Sequence, residues 1–258
     1  MTRFLKFACL WVAACSLAFL APAQSNLQHR RKAFRNLSTV GTSPGLTNLL
    51  FWLNMQSNAN DSSTNARNWT ENGTISHPSG KVGNSAELGA SEFLNIADAA
   101  WQTPSGSFTI AMWYKPVDAT PASQAGIFNK YDTSSQRSIL MTDNVAGTTN
   151  FVISSNGTAT FSTTSTATLS DGVWSSLVYV FTASTSIQIY VDGVAQTANT
   201  TSIPASVHNS TSGMVLGAYN SVFATGEYDS FTMYDRAWTA NEVTWFHNAG
   251  AGRQFSDL

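Results

Sequence analysis

The sequence predicts an all-β sandwich or jelly roll of two antiparallel sheets, closed by one short C-terminal helix. Three observations carry that reading. Only 11% of the residues are charged, against roughly a quarter in an average globular chain, and Gly, Ser, Thr and Asn stand where helix-forming Glu and Lys would. Short apolar segments recur along the chain with turn residues between them. The clearest of these, 174–181 and 187–191, alternate with a period of two. Leu177, Tyr179 and Phe181 fall on one face, Val178 and Val180 on the other; Ile187, Ile189 and Val191 oppose Gln188 and Tyr190. Asp192-Gly193 supplies the positive φ angles of a two-residue hairpin and sends the chain back through 194–196.

In chain order, the first segment is a targeting signal. Arg3 and Lys6 precede an apolar run over 7–20, and Ala21-Pro22-Ala23 offers the small residues of a cleavage site. The run is shorter than the roughly 20 residues a membrane span needs. Residues 1–23 therefore read as a secretory signal peptide cut after Ala23, and the mature chain as secreted or extracytoplasmic. Val12-Ala-Ala-Cys15 offers the alternative of a lipoprotein anchored at Cys15, but the residues that follow stay apolar where such a signal turns polar. Cys9 and Cys15 both lie in this segment. Once it is removed no disulfide, thiol nucleophile or thiolate metal site is available.

Residues 24–45 carry no periodicity and end in Ser43-Pro44-Gly45, as expected of a flexible leader made basic by Arg30, Arg31, Lys32 and Arg35. The folded domain is expected over 46–258. From Pro44 onward seven Lys and Arg face all fifteen Asp and Glu. That acidic balance argues against a nucleic-acid-binding domain. Strands are expected at 49–53, 82–88, 93–96, 108–115, 126–131, 138–142, 151–154, 174–181, 187–191, 214–218 and 228–234. A sandwich or barrel accommodates that many short strands in one domain. At the end, Thr239-Ala-Asn-Glu242 is a capping box, with Val243, Phe246 and His247 on one face of a short helix and Gly250 as its stop.

Five motifs then fall in a familiar order. Ser107-Phe-Thr-Ile-Ala-Met-Trp-Tyr-Lys-Pro116 comes first, Trp174 opens a strand, and Tyr190-Val-Asp-Gly193, Leu216-Gly217 and the run from Gly226 to Val243 follow. In this order they resemble the LamG-like jelly roll of the laminin G and concanavalin A-like lectin/glucanase superfamily, with Trp238 where Leu is usual. Asp61-Ser-Ser-Thr-Asn resembles that family's early D-S-S-G-N turn. The resemblance runs from Leu49 to about Ala249 and implies two antiparallel sheets of six or seven strands, one of them concave. It leaves function open, because this fold hosts lectins, adhesion modules and glycosidases alike.

A glycosidase needs paired carboxylates at a defined separation, and the resemblance implies a Glu-x-Asp-x-Glu type strand for one. Glu227-Tyr-Asp229 is the nearest approach, but Phe231 and Thr232 stand where a third acid would be. No catalytic residue is therefore expected. His29, His77, His208 and His247 show no ligand spacing, and neither a nucleophile elbow nor a phosphate loop is present. The resemblance also implies a structural Ca²⁺ held by an early and a late Asp together with backbone carbonyls. Matching residue by residue gives Asp61 and Asp229, with an Asx-turn and a strand-end cap as their alternative roles.

The remaining expectation is a binding module for a glycan or a cell-surface partner. Sugar C–H faces stack on aromatic rings while Asn, Asp and Gln bond the hydroxyls. Trp52, Trp113 and Trp174 belong to strands, and Trp238 and Trp245 to the helix and its approach. That leaves Trp69 and Trp101 in loops and Tyr131 and Tyr219 at strand ends as ligand-binding candidates. A surface exposing two aromatics beside several amide side chains would mark a sugar site. A structural or adhesion domain without a sugar site, and a divergent glycosidase, are the other two readings.

Overall fold

The computed structural model describes residues 41–258, so the expected signal peptide, Cys15 and most of the basic leader lie outside the described residues. From Thr42 the chain is tied to the domain. The Thr42 amide donates to the Asn241 carbonyl at 3.2 Å, Arg236 reaches the Pro44 carbonyl at 2.8 Å, and the Tyr234 hydroxyl reaches the Gly45 carbonyl at 2.9 Å. The leader expected to run to residue 45 thus hands over to the domain four residues earlier, because three backbone groups in 42–45 find partners on it.

Strands are numbered β1 to β16 in chain order. One sheet has seven strands. It runs β1 (Leu49–Leu53), β16 (Gly226–Tyr234), β5 (Phe108–Pro116), β10 (Ser175–Thr182), β11 (Ser186–Val191) and β12 (Val194–Ala195), with β3 (Ala86–Leu88) also on β16. The second sheet has nine strands. Its path is β2 (Thr70–Asn72), β4 (Phe93–Ile96), β13 (Met214–Leu216), β6 (Ala125–Asp132), β7 (Gln136–Asp143), β8 (Thr148–Gly157) and β9 (Thr160–Thr168). The short pair β14 (Ala218–Tyr219) and β15 (Val222–Phe223) joins it through β6. These two brief strands and β2 are what carry the sheet beyond the six or seven expected.

The period of two decides where the core lies. Leu177, Tyr179 and Phe181, with Phe108, Ile110 and Met112 opposite them, face Phe128, Ile139, Met141, Phe151 and Ile153 across the sandwich. Val178 and Val180 face the other way and meet Trp52, Ala111, Trp113, Trp238, Val243, Trp245 and Phe246. A second core therefore lies outside the seven-stranded sheet, under α1 (Ala240–His247). The expected capping box starts that helix: Glu242 N donates to Thr239 Oγ1 at 3.4 Å and Glu242 Oε2 accepts from the Thr239 amide at 2.7 Å. Its end differs from expectation. Asn248, in the left-handed region at φ 49°, caps it two residues before Gly250.

Several strands depart from the sequence reading. The expected strand at 82–88 shrinks to Ala86–Leu88, because the Val82 amide bonds Asp229 and Asn84 bonds Gln56 instead of a neighbouring strand. The unexpected β9 is Thr- and Ser-rich, buries only Thr163, Ser165 and part of its remaining faces, and lacks an apolar alternation to announce it. Among the described residues no helix is long and apolar enough to cross a membrane.

Candidate functional site

Of the four aromatic candidates, the structure brings two together. Tyr131 is the penultimate residue of β6, and Tyr219 leads into the β14–β15 turn; their rings sit edge to face, 5.6 Å apart at 85°. The turn between β14 and β15 is Asn220-Ser221, both at positive φ (50° and 62°). That is the two-residue hairpin geometry whose twist matches its flanking strands. Gly217, at φ 91°, breaks the expected strand over 214–218 and turns the chain outward before the hairpin.

Gly126 is what lets the hairpin lie down on β6. A Cβ at that position would come within 2.4 Å of the Tyr219 Cβ and 2.5 Å of the Ala218 carbonyl carbon. Glycine in a strand interior often marks such a close backbone approach. The hairpin is also held by parallel pairing of Phe223 with Gly126 and by the Asn129 amide, which donates to the Ala218 carbonyl at 2.6 Å.

Between hairpin and sheet runs an open groove of about 370 Å³. Phe93 and Val215 contribute its apolar surface, and Tyr131 and Tyr219 its rings; Asn129, Asp132, Asn220 and Ser221 supply polar groups. Because the Ala218 carbonyl can only accept, Asn129 must turn its Nδ2 toward it, which leaves Oδ1 as its acceptor. Burial pushes both tyrosine pKa values up, Tyr131 and Tyr219 alike. Their hydroxyls stay neutral at physiological pH and can donate or accept.

The two tryptophan candidates are placed otherwise. Trp69 is 5% exposed and packs against Phe51, Phe231 and Phe128 at centroid distances of 5.4, 5.3 and 6.4 Å. The polar residues around it in sequence conceal a core side chain. Trp101 is half-buried, with Phe51 at its edge and the Arg67 guanidinium 4.2 Å from its ring centre. The Arg67 guanidinium thus covers one face of the Trp101 ring.

Asp61 and Asp229 do not fit a calcium site as placed. Asp61 Oδ1 accepts from the Trp52 amide at 3.0 Å and the Ser63 amide at 2.9 Å, and Oδ2 from Ser63 Oγ at 2.8 Å and the Arg67 amide at 3.0 Å. Four donors occupy the lone pairs that a cation would need. The Asx-turn role is the one it fills. Asp229 is fully buried, accepting from the Val82 amide at 2.7 Å and from Ser230 Oγ at 3.1 Å. Burial raises its pKa to about 7. Among the described residues no three His, Cys, Asp or Glu side chains group as metal ligands.

Glu227, the other half of the Glu-x-Asp pair, is tied down as well. Lys115 Nζ lies 2.6 Å from one oxygen and Ser85 Oγ 2.8 Å from the other. Neither acid belongs to the groove. Among the groove residues that the sequence reading passed over are Asn129, Asp132, Asn220 and Ser221, with Gly126 beneath the hairpin. Only Asn220-Ser221 left a signal, a polar two-residue step between Ala-Tyr and Val-Phe that reads as a hairpin turn.

Comparison with solved structures supports the same architecture. The binding domain of Paraclostridial Mosquitocidal Protein 1 superposes with a TM-score of 0.66 at 15% identity, over 79% of this chain and 52% of that one. The ligand binding domain of botulinum neurotoxin serotype D, in complex with N-acetylneuraminic acid, gives 0.63 at 10% identity over 78% and 50%. Domain 4 of AbnA, a GH43 extracellular arabinanase from Geobacillus stearothermophilus, in complex with arabinotriose, gives 0.61 at 17% identity over 80% and 98%. This chain thus spans about half the length of the toxin domains and nearly all of the arabinanase domain. No curated protein matches the sequence. The profile described as the concanavalin A-like lectin/glucanases superfamily matches residues 88–244. With that match over more than half of the chain and two antiparallel sheets in jelly-roll order, the chain belongs to the concanavalin A-like lectin/glucanases superfamily.

Proposed function

We propose that this chain is a secreted, non-catalytic carbohydrate-binding module whose sugar seat is the groove beneath the Tyr131–Tyr219 pair. One observation carries the reading. Two aromatics 88 positions apart in sequence meet at 5.6 Å over a groove whose other polar groups are amides, a hydroxyl and a carboxylate. Sugars are recognised by that combination, rings taking the C–H faces and polar groups the hydroxyls. Its volume of about 370 Å³ falls in the range of small-ligand pockets.

Two structural neighbours named for their sugar complexes, with arabinotriose and with N-acetylneuraminic acid, lend this reading support. The engagement of Glu227 and Asp229 in structural contacts supports a non-catalytic role, and the basic, apolar and small-residue parts of 1–23 support secretion. With four donors on Asp61 and Asp229 fully buried against the Val82 amide and the Ser230 hydroxyl, sugar binding is expected to be the same with and without EDTA.

A glycan array followed by calorimetry on the best hit tests the site. Tyr131→Ala and Tyr219→Ala should each weaken binding at least about tenfold, the equivalent of roughly 1.4 kcal/mol, with the far-UV circular dichroism unchanged. An array with no hit, or a hit that both variants bind as well as the parent, would sink the proposal.

A further inference from the structure

The groove's charge and ring geometry narrow the kind of sugar it can take, provided the sugar-binding reading above holds. We infer that the groove takes the end of a neutral oligosaccharide, and that Asp132 is the residue that turns anionic sugars away.

Acceptors are the first reason. Asn129 spends its amide hydrogens' side on the Ala218 carbonyl and keeps an oxygen, at a position only 4% exposed. Asp132, exposed at the groove's rim, uses one oxygen for long contacts from Thr133 Oγ1 (3.3 Å) and the Ser134 amide (3.4 Å). Among the described residues its Oδ2 meets no donor. Acceptors of this kind want hydroxyl donors, which every neutral sugar has in excess. A uronate or sialate carboxylate brings a further acceptor and a like charge instead.

The competing group is Arg137. It pairs with Tyr131 across β6 and β7, and its guanidinium carbon lies 5.9 Å from the Tyr131 ring centre. Its NH1, however, donates to the Thr158 carbonyl at 2.9 Å, and Arg137 does not line the groove. The charge that a ligand meets directly is therefore Asp132.

Ring geometry is the second reason. Flat polysaccharide surfaces are met by coplanar aromatics, whereas Tyr131 and Tyr219 stand at 85° to one another. Perpendicular rings make a corner. One sugar ring can stack on one tyrosine while its edge abuts the other, which suits a chain end and cannot follow a straight chain across a flat face.

The experiment is an array of neutral oligosaccharides beside uronic-acid-terminated and sialic-acid-terminated ones, probed with the parent chain and with Asp132→Asn, Arg137→Gln and Tyr219→Ala. Neutral glycans alone should bind, and Asp132→Asn should raise binding of the anionic ones by about five- to tenfold, the size of one like-charge contact at about 4 Å screened as in bulk water, as suits the exposed Asp132. Anionic glycans bound by the parent and lost on both Tyr219→Ala and Arg137→Gln would overturn this inference while leaving the groove as the sugar site. Neutral selectivity that survives Asp132→Asn unchanged would overturn the role given to Asp132. No glycan bound at all, or binding indifferent to Tyr219→Ala, would overturn the parent reading and this one with it. Crystalline cellulose or chitin pulled down by the parent and not by Tyr219→Ala would overturn the chain-end geometry.

Discussion

Asp143 closes β7 with its carboxyl group sealed in the interior, neither oxygen within hydrogen-bond geometry of a partner. Burial first, then the nearby charges of Asp118 and Asp171, push its pKa up to about 8. The folded state therefore holds a proton that the unfolded chain, at an ordinary carboxyl pKa near 4, has released. Stability must fall as pH rises from about 4 to about 8 and level off beyond. Asp229, raised to about 7, acts in the same direction over most of that window. Asp143→Asn should leave the thermal midpoint near pH 4 almost unchanged and raise it at pH 8 and above, as differential scanning calorimetry would read. A variant no more stable than the parent at pH 8 would show that this carboxyl is not the source of the pH dependence. Sequence could not announce this residue, since Asp143 sits in an ordinary turn context and only packing seals it.

Elements show a similar division. The strands 93–96 and 187–191, the long central strands and the capping box were legible because alternation and local hydrogen bonds are written in neighbouring residues. β9 was not, because an edge strand with polar side chains on most positions satisfies its backbone through β8 and through Gln196, whose side chain accepts the Thr166 amide at 3.1 Å and the Ala167 amide at 2.9 Å. Covering an edge in this way also removes a template for aggregation. The β14–β15 hairpin depends on Gly126, 92 residues before it in the chain. Gly126→Ala should lift the hairpin and reproduce most of the affinity loss of Tyr219→Ala. Overpacking of this kind costs about 1–3 kcal/mol, a midpoint drop of several degrees at this chain length. Sugar affinity unchanged in Gly126→Ala would mean that the hairpin's seat on β6 does not shape the site.

On the scale of the whole molecule, the second core matters most. The outer face of a sandwich sheet is commonly solvated, yet here Trp52, Trp113, Tyr234, Trp238 and Trp245 are almost fully buried on it. Phe246 is the centre, with ring centroids 6.0 Å from Trp52, 6.4 Å from Trp113 and 5.8 Å from Trp238. Phe246→Ala should cost about 3–5 kcal/mol and shift tryptophan emission to the red. A loss below about 1 kcal/mol would show that the helix is a dispensable lid and that the sandwich core alone sustains the fold. With the helix face filled this way, the free sheet face is the one that carries Asn129, Val215 and the groove.

By itself, then, the sequence determined the class of fold, the faces of its central strands and the helix start, because periodicity and capping act over a few residues. It also named Tyr131 and Tyr219, though alongside Trp69 and Trp101, and it offered Asp61 and Asp229 as metal ligands. Only the tertiary structure places these residues: it brings Tyr131 and Tyr219 together, packs Trp69 in the core and puts hydrogen-bond donors on both carboxylates. Burial of Trp69, the Arg67 side chain over Trp101 and the Val82 amide on Asp229 depend on segments distant in sequence, whereas Asp61 takes its donors from within nine residues. The groove needs Tyr131 and Tyr219 to meet across 88 residues, and no local pattern encodes a contact that long-range strand pairing alone creates.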